Sequence, residues 1–264
     1  MKFILISLIL ISINSYAKDI IFGIVPQQSP KVIFKKWLPI VQELSKKTGY
    51  KIILKTESSI PKFEKALYAG KYDVAYMNPY HFVIANKTQG YNAMVRSSKS
   101  IQGIILSRNN KKLEKNNILG ATFLFPAPKA FAATLLTKYE IFQKFGINID
   151  KNSKVVYVNS HDSVYKGIGR GIGDFGGGIV RTFKSFSNEK TKQDLSLIYK
   201  TNKYPSHPIA INSNLSKEVE ENIKQSLLSI SIEKLNKLNI PNLKSITNDE
   251  YKDVKKLAID LEIY

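Results

Sequence analysis

Short apolar runs alternate with segments of helical period from residue 19 to residue 211, and no tandem repeat interrupts them. Residues 19–25 (DIIFGIV) read as a strand. Ser29-Pro30 then supplies an N-cap and a proline at the first helical position. Ile33, Trp37, Ile40, Val41 and Leu44 follow at helical spacing, and Gly49 ends the helix. Pro39 lies inside this helix and is expected to kink it. Further strands are predicted over 51–55, 72–77, 101–107, 121–125, 154–158, 195–199 and 208–211. Helices are predicted over 61–69, from Asn78-Pro79 onward, over 129–145 after the Pro126-Ala127-Pro128 loop, and over 161–170. The last third reads as helical, with Ser213-Asn214 capping 215–230 and Thr247-Asn248 capping 249–259. Such alternation predicts an α/β chain with parallel sheets covered by helices. No Pro/Ser-rich linker divides it, so two lobes would be joined by chain crossings.

The first residues set the compartment. Lys2 precedes an apolar run over 3–13, too short to span a bilayer, and Ser15-Tyr16-Ala17 follows. Residues 1–17 therefore read as a signal peptide cleaved after Ala17. The mature chain is expected in the periplasm and not embedded in the membrane. The chain has no cysteine, hence no disulfide and no lipid-bearing cysteine, so the core alone must hold the fold.

With 40 basic and 21 acidic residues the net charge is +19. Only four of the basic residues are arginines (Arg96, Arg108, Arg170, Arg181), and the lysines are scattered along the whole chain. This distribution does not describe a nucleic-acid face. It does steer small anions toward the molecule.

No catalytic constellation emerges. His81, His161 and His207 are too far apart in sequence for a helical metal motif, and thiol chemistry is excluded. His161-Asp162-Ser163 are adjacent and so do not face one another on a helix. Gly171-Ile172-Gly173-Asp174-Phe175-Gly176 matches G-x-G-x-x-G in form, but a helix precedes it and a strand follows, the reverse of a dinucleotide site. Its glycines are expected to permit close backbone approach or positive φ. No catalytic residue, metal or cofactor is predicted.

Polar residues instead gather just beyond the predicted strands, where helix N-termini present free amides to anions. These segments contain Gln27, Ser59, Tyr76, Asn78, Tyr80, His81, Lys129, Ala130, His161 and Ser163. Ordinary capping accounts for any one of them. Their convergence predicts an anion site.

Five segments in order, FGIVPQQSP (22–30), DVAYMNPYHF (73–82), IQGIILSRNN (101–110), ATFLFPAPKAFAA (121–133) and VVYVNSHDSVYKGIGRG (155–171), resemble a known family, as does YPSHPIAI (204–211) more weakly. They look like the phosphonate/phosphite/phosphate-type, PhnD-like binding proteins of ABC importers. The resemblance implies a type II periplasmic-binding-protein fold of two α/β lobes joined by two hinge crossings, near 96–103 and 201–208. Lobe one would be 18–100 plus 205–264, and lobe two 101–204. It implies a monomer that captures a small oxyanion and passes it to an ABC permease. A sensory protein of the same fold, reporting to a membrane histidine kinase or chemoreceptor, is the alternative. His161 falls where the family places its oxyanion-contacting histidine, with Ser163 close behind. The loop 126–131 matches the family's phosphate-cradling helix start, yet Pro128-Lys129-Ala130-Phe131 stand where hydroxyls are usual. Phe82 replaces a frequent tyrosine, leaving that part to Tyr80 or His81. Near His207 the aminophosphonate binders carry an acid, so a ligand without an amine is implied, either a simple anion or a longer acidic one.

Overall fold

The computed structural model describes residues 19–264; the leader expected over 1–17 lies outside the described residues. The described residues form eleven strands: β1 (Ile20–Ile24), β2 (Ile52–Thr56), β3 (Val74–Tyr76), β4 (Asn92–Ser97), β5 (Ile101–Arg108), β6 (Thr122–Phe125), β7 (Lys154–Tyr157), β8 (Phe175–Ile179), β9 (Leu195–Tyr204), β10 (Pro208–Ile211) and β11 (Leu243–Ser245). They make two sheets, ordered β11-β4-β10-β3-β1-β2 and β7-β6-β8-β5-β9. The chain passes from the first to the second between Ser97 and Ile101, and returns between Tyr204 and Pro208.

The sheets are mixed, which corrects the all-parallel expectation. β1, β2 and β3 pair in parallel, as do β6, β7 and β8. The strands next to the two passages run the other way: β10 is antiparallel to β3 and β4, and β5 is antiparallel to β8 and β9. The second sheet is buried on both faces. Ile105, Phe123 and Phe125 enter one apolar cluster, while Ile104, Leu106 and Leu124 enter another, as the period of two requires.

The helix Pro30–Thr48 buries Ile33, Trp37, Ile40, Val41 and Leu44, ends at Gly49 with φ 75°, and continues through Pro39. Asn78 and Ser160 cap the helices Pro79–Gln89 and His161–Gly169 through their side chains. The G-x-G-x-x-G segment follows the helix His161–Gly169 and runs into β8 at Phe175, so helix precedes strand as read from the sequence.

Four local expectations differ from the structure. β4 went unread because Arg96 breaks its apolar pattern; Arg96 is buried with its Nε donating to Glu250 Oε2 at 2.6 Å. The helix expected over 215–230 is Lys217–Leu228. Ser216 caps it, because Asn212 holds Asn214 and Leu215 in a preceding turn. The one expected over 249–259 is a 3₁₀ turn, Asn248–Tyr251, followed by Lys252–Asp260. The helix expected over 129–145 begins as a π-helical turn, Phe131–Leu135, before the α-helix Leu136–Phe145. No helix among the described residues is long and apolar enough to cross a membrane.

Ala127, Ala130–Ala133, Leu136 and Ile179 of the second lobe share one apolar cluster with the first lobe's core. The two lobes are therefore closed on each other.

Candidate functional site

The lobes meet where β1, β3, β6, β7 and β8 end. Backbone and side chains bridge the junction directly. His161 N–H, the first of its helix, donates to the carbonyl of Gln27 at 3.1 Å. Asn78 Nδ2 donates to the carbonyl of Lys129 at 3.2 Å. Arg181 donates through Nη2 to Gln27 Oε1 at 2.8 Å and lies 5.6 Å over the Tyr76 ring.

Gln27 is the pivot. A guanidinium only donates, so the atom of Gln27 facing Arg181 must be its carbonyl oxygen. Its amide nitrogen then faces His207 Nε2 at 2.9 Å and donates to it. The His207 proton is thereby placed on Nδ1, and that atom is buried with no partner among the described residues. His161 Nδ1 is likewise buried and unpartnered. Burial, reinforced by Arg181, holds His161 down to about 3 and His207 well below its ordinary value, so both rings are neutral donors and acceptors at neutral pH.

Between these groups lies a cavity of about 10 Å³. Its polar wall is Gln27, Asn78, His161 and His207, and its apolar wall includes Val25, Ile60, Ile101 and Ile179. The backbone of 130–133 closes it. Hydrogen bonding inside that helix starts only at Thr134, whose N–H donates to Ala130 at 2.8 Å. The amides of Phe131, Ala132 and Ala133 thus belong to an unpaired first turn. Backbone N–H groups are the free donors of this turn.

This turn lies unusually close to the sheet. A Cβ on Gly103 would stand 2.2 Å from the Ala132 carbonyl oxygen, and one on Gly177 would stand 2.2 Å from that of Ala133. The glycines of β5 and β8 are what let the turn rest on the sheet at this depth.

Five of the eleven residues singled out in the sequence line the cavity: Gln27, Asn78, Ala130, His161 and His207. Tyr76 stands behind, stacked on His207 with ring centroids 5.3 Å apart. His81 lies beneath Asn78, its Nε2 2.9 Å from Glu64 Oε1, and supports it from behind. Ser59 caps the helix Ile60–Tyr68, whose first residue reaches the cavity. The remaining three point elsewhere. Tyr80 is bonded to the carbonyl of Ile263. The Lys129 side chain is exposed beside the C-terminal segment. Ser163 is exposed and its N–H is taken by Ser160. Arg181 was not anticipated. Its signal was available: one of four arginines, two residues past the end of a buried glycine-rich strand.

A family model described as "ABC transporter, phosphonate, periplasmic substrate-binding protein" matches residues 22–251. The chain belongs to this family. Its members are substrate-binding components of transporters, not enzymes. Solved structures agree on the fold. A binding protein component of an ABC phosphonate transporter from Pseudomonas aeruginosa is 16% identical, with a TM-score of 0.83 over 92% of this chain and 86% of that one. PhnD1 from Prochlorococcus marinus, solved in complex with methylphosphonate, is 16% identical, with a TM-score of 0.86 over 94% of this chain and 99% of that one. The architecture is the type II periplasmic-binding-protein fold, with two α/β lobes.

Proposed function

We propose that the chain is the exported capture component of an importer and closes its lobes, 18–100 with 205–264 and 101–204, over a small oxyanion of the phosphate, phosphite or phosphonate class. The observation that carries this is the set of donors left without acceptors around one cavity: the His207 Nδ1–H, the neutral His161 ring and the amides of 131–133. A buried donor without a partner costs roughly 1–3 kcal/mol, and an anionic oxygen relieves that cost. The Gly103 and Gly177 contacts fix the amides rigidly, so little entropy is lost on binding.

The closed cavity accommodates about one water-sized group and not a tetrahedral head group. Entry therefore requires the lobes to part, exchanging the His161–Gln27 and Asn78–Lys129 bonds for bonds to ligand oxygens. The Gln27 carbonyl now occupies the N–H of His161 that such an oxygen would take. Handover to a membrane permease and monomeric behaviour complete the reading.

A thermal-shift panel of phosphate, phosphite and methylphosphonate, with sulfate and a nucleotide for contrast, tests it. A ligand at 100 times its Kd adds about 2.7 kcal/mol of stability. Absence of a shift with every phosphorus oxyanion would remove the proposal. Arg181→Met is expected to weaken the best ligand at least tenfold by calorimetry, about 1.5–3 kcal/mol, because Gln27 and the His207 tautomer lose their orientation. Unchanged affinity would detach Arg181 from recognition. Loss of phosphonate uptake on deletion of the gene separates an importer from a sensor.

A further inference from the structure

A second and much larger cavity, of about 350 Å³, opens beside the two chain passages. Its walls come from both passages, from the segment after β8, and from residues 236–241. It carries three cationic side chains, Lys99, Arg181 and Lys184, and no carboxylate. None of the three is ion-paired within the described residues. Buried Ser97 and Ser206 add small polar groups at its base. Lysines without a carboxylate are common on this basic chain, although some find one, as Lys111 does in Asp174 and Lys234 in Glu43; what sets these three cations apart is that they line one cavity. Three cations facing one ligand-sized cavity without a counter-charge are a different arrangement.

The two cavities are neighbours. Ile101 and Ile179 line both, so the breadth of these side chains separates them. Arg181 joins them chemically, since it lines the larger cavity and holds the Gln27 amide at the edge of the smaller one.

We propose that the larger cavity receives a second acidic group of the ligand, so that the chain selects a short phosphonate bearing a carboxylate or second phosphoryl group over a plain alkylphosphonate. The proposal rests on the reading of the smaller cavity as the seat of the phosphorus head group. Division of labour follows from the chemistry. Neutral donors and fixed amides grip one end in a dry cavity. The mobile ammonium groups of Lys99 and Lys184, both exposed, meet the other end at the rim, with Arg181 between. A cationic tail, such as an alkylamine, meets three like charges and is disfavoured.

Calorimetry with methylphosphonate, phosphonoacetate and 2-aminoethylphosphonate tests this on the chain and on two double variants. Lys99→Met with Lys184→Met removes the rim charge. Lys55→Met with Lys71→Met removes two exposed lysines elsewhere and controls for net charge. Phosphonoacetate is expected to bind at least tenfold more tightly than methylphosphonate, and 2-aminoethylphosphonate more weakly. The first double variant is expected to abolish that preference with methylphosphonate affinity unchanged, and the second to retain it. Equal affinities for phosphonoacetate and methylphosphonate, or the same loss in both variants, overturn the proposal and leave the head-group reading standing. Failure of all three ligands to bind overturns both.

Discussion

Gly177→Ala is expected to destabilise the protein by roughly 3 kcal/mol, the upper end of the usual cost of overpacking, and to abolish measurable oxyanion binding. The added methyl would lie 2.2 Å from the Ala133 carbonyl oxygen and 2.4 Å from the Phe125 ring. Neither obstacle is the free end of a flexible side chain. One is the backbone of the cavity turn, and the other is a ring with no exposed surface in the second lobe's core. Relief requires the turn to rise off β8, which carries the amides of 131–133 away from His161 and His207. At 2–4 °C per kcal/mol for a chain of this size, the melting temperature falls by about 6–12 °C. Gly103→Ala, which meets the Ala132 carbonyl oxygen, should behave alike. A Gly177→Ala chain with native melting temperature and native affinity would show that the close approach of turn and sheet is not required.

Acid is expected to weaken the closed protein well above the range in which its carboxylates titrate. His161 is held down to about 3 and His207 well below the ordinary 6.5, in both cases chiefly by burial and then by the nearby Arg181. In the unfolded chain both rings take up protons near 6.5. Between that value and the depressed folded value the unfolded state binds more protons, so stability is full above about pH 6.5 and falls with pH below it. From pH 7 to pH 5 each histidine should remove roughly 1–2 kcal/mol. Glu43, Asp174 and Glu250, which hydrogen bonds to lysine or arginine hold below the usual carboxylate range, contribute only at lower pH. Denaturant melts across pH 5–7 read the slope directly, and His161→Gln should flatten it by about half. A flat wild-type profile would mean the rings are not buried as neutral groups.

Much of this architecture was legible in the sequence because its signals are local. Ser29-Pro30 and Asn78-Pro79 mark helix starts, and the runs over 101–107 and 121–125 mark strands buried on both faces. The strand ends brought Gln27, Asn78 and His161 together in the sequence reading, and the three line one cavity in the structure. Partners distant in sequence hid the rest. β4 is a strand because Glu250 neutralises Arg96 from across the lobe. Arg181 enters the site because its Nη2 finds Gln27, 154 residues away. Lys129 stands where the resembled family usually has hydroxyls, yet its side chain is exposed to solvent and only its carbonyl meets the other lobe. The free donors at that turn are main-chain amides, which no residue name reveals.

The most direct measurement follows the imidazole ¹⁵N resonances of His161 and His207, together with the amide resonances of 131–133, while methylphosphonate is added. A head group seated between the lobes should shift all of these signals in step with one saturating isotherm. Saturable binding that leaves them unmoved would place the ligand outside the junction and contradict the capture of an oxyanion between two closing lobes.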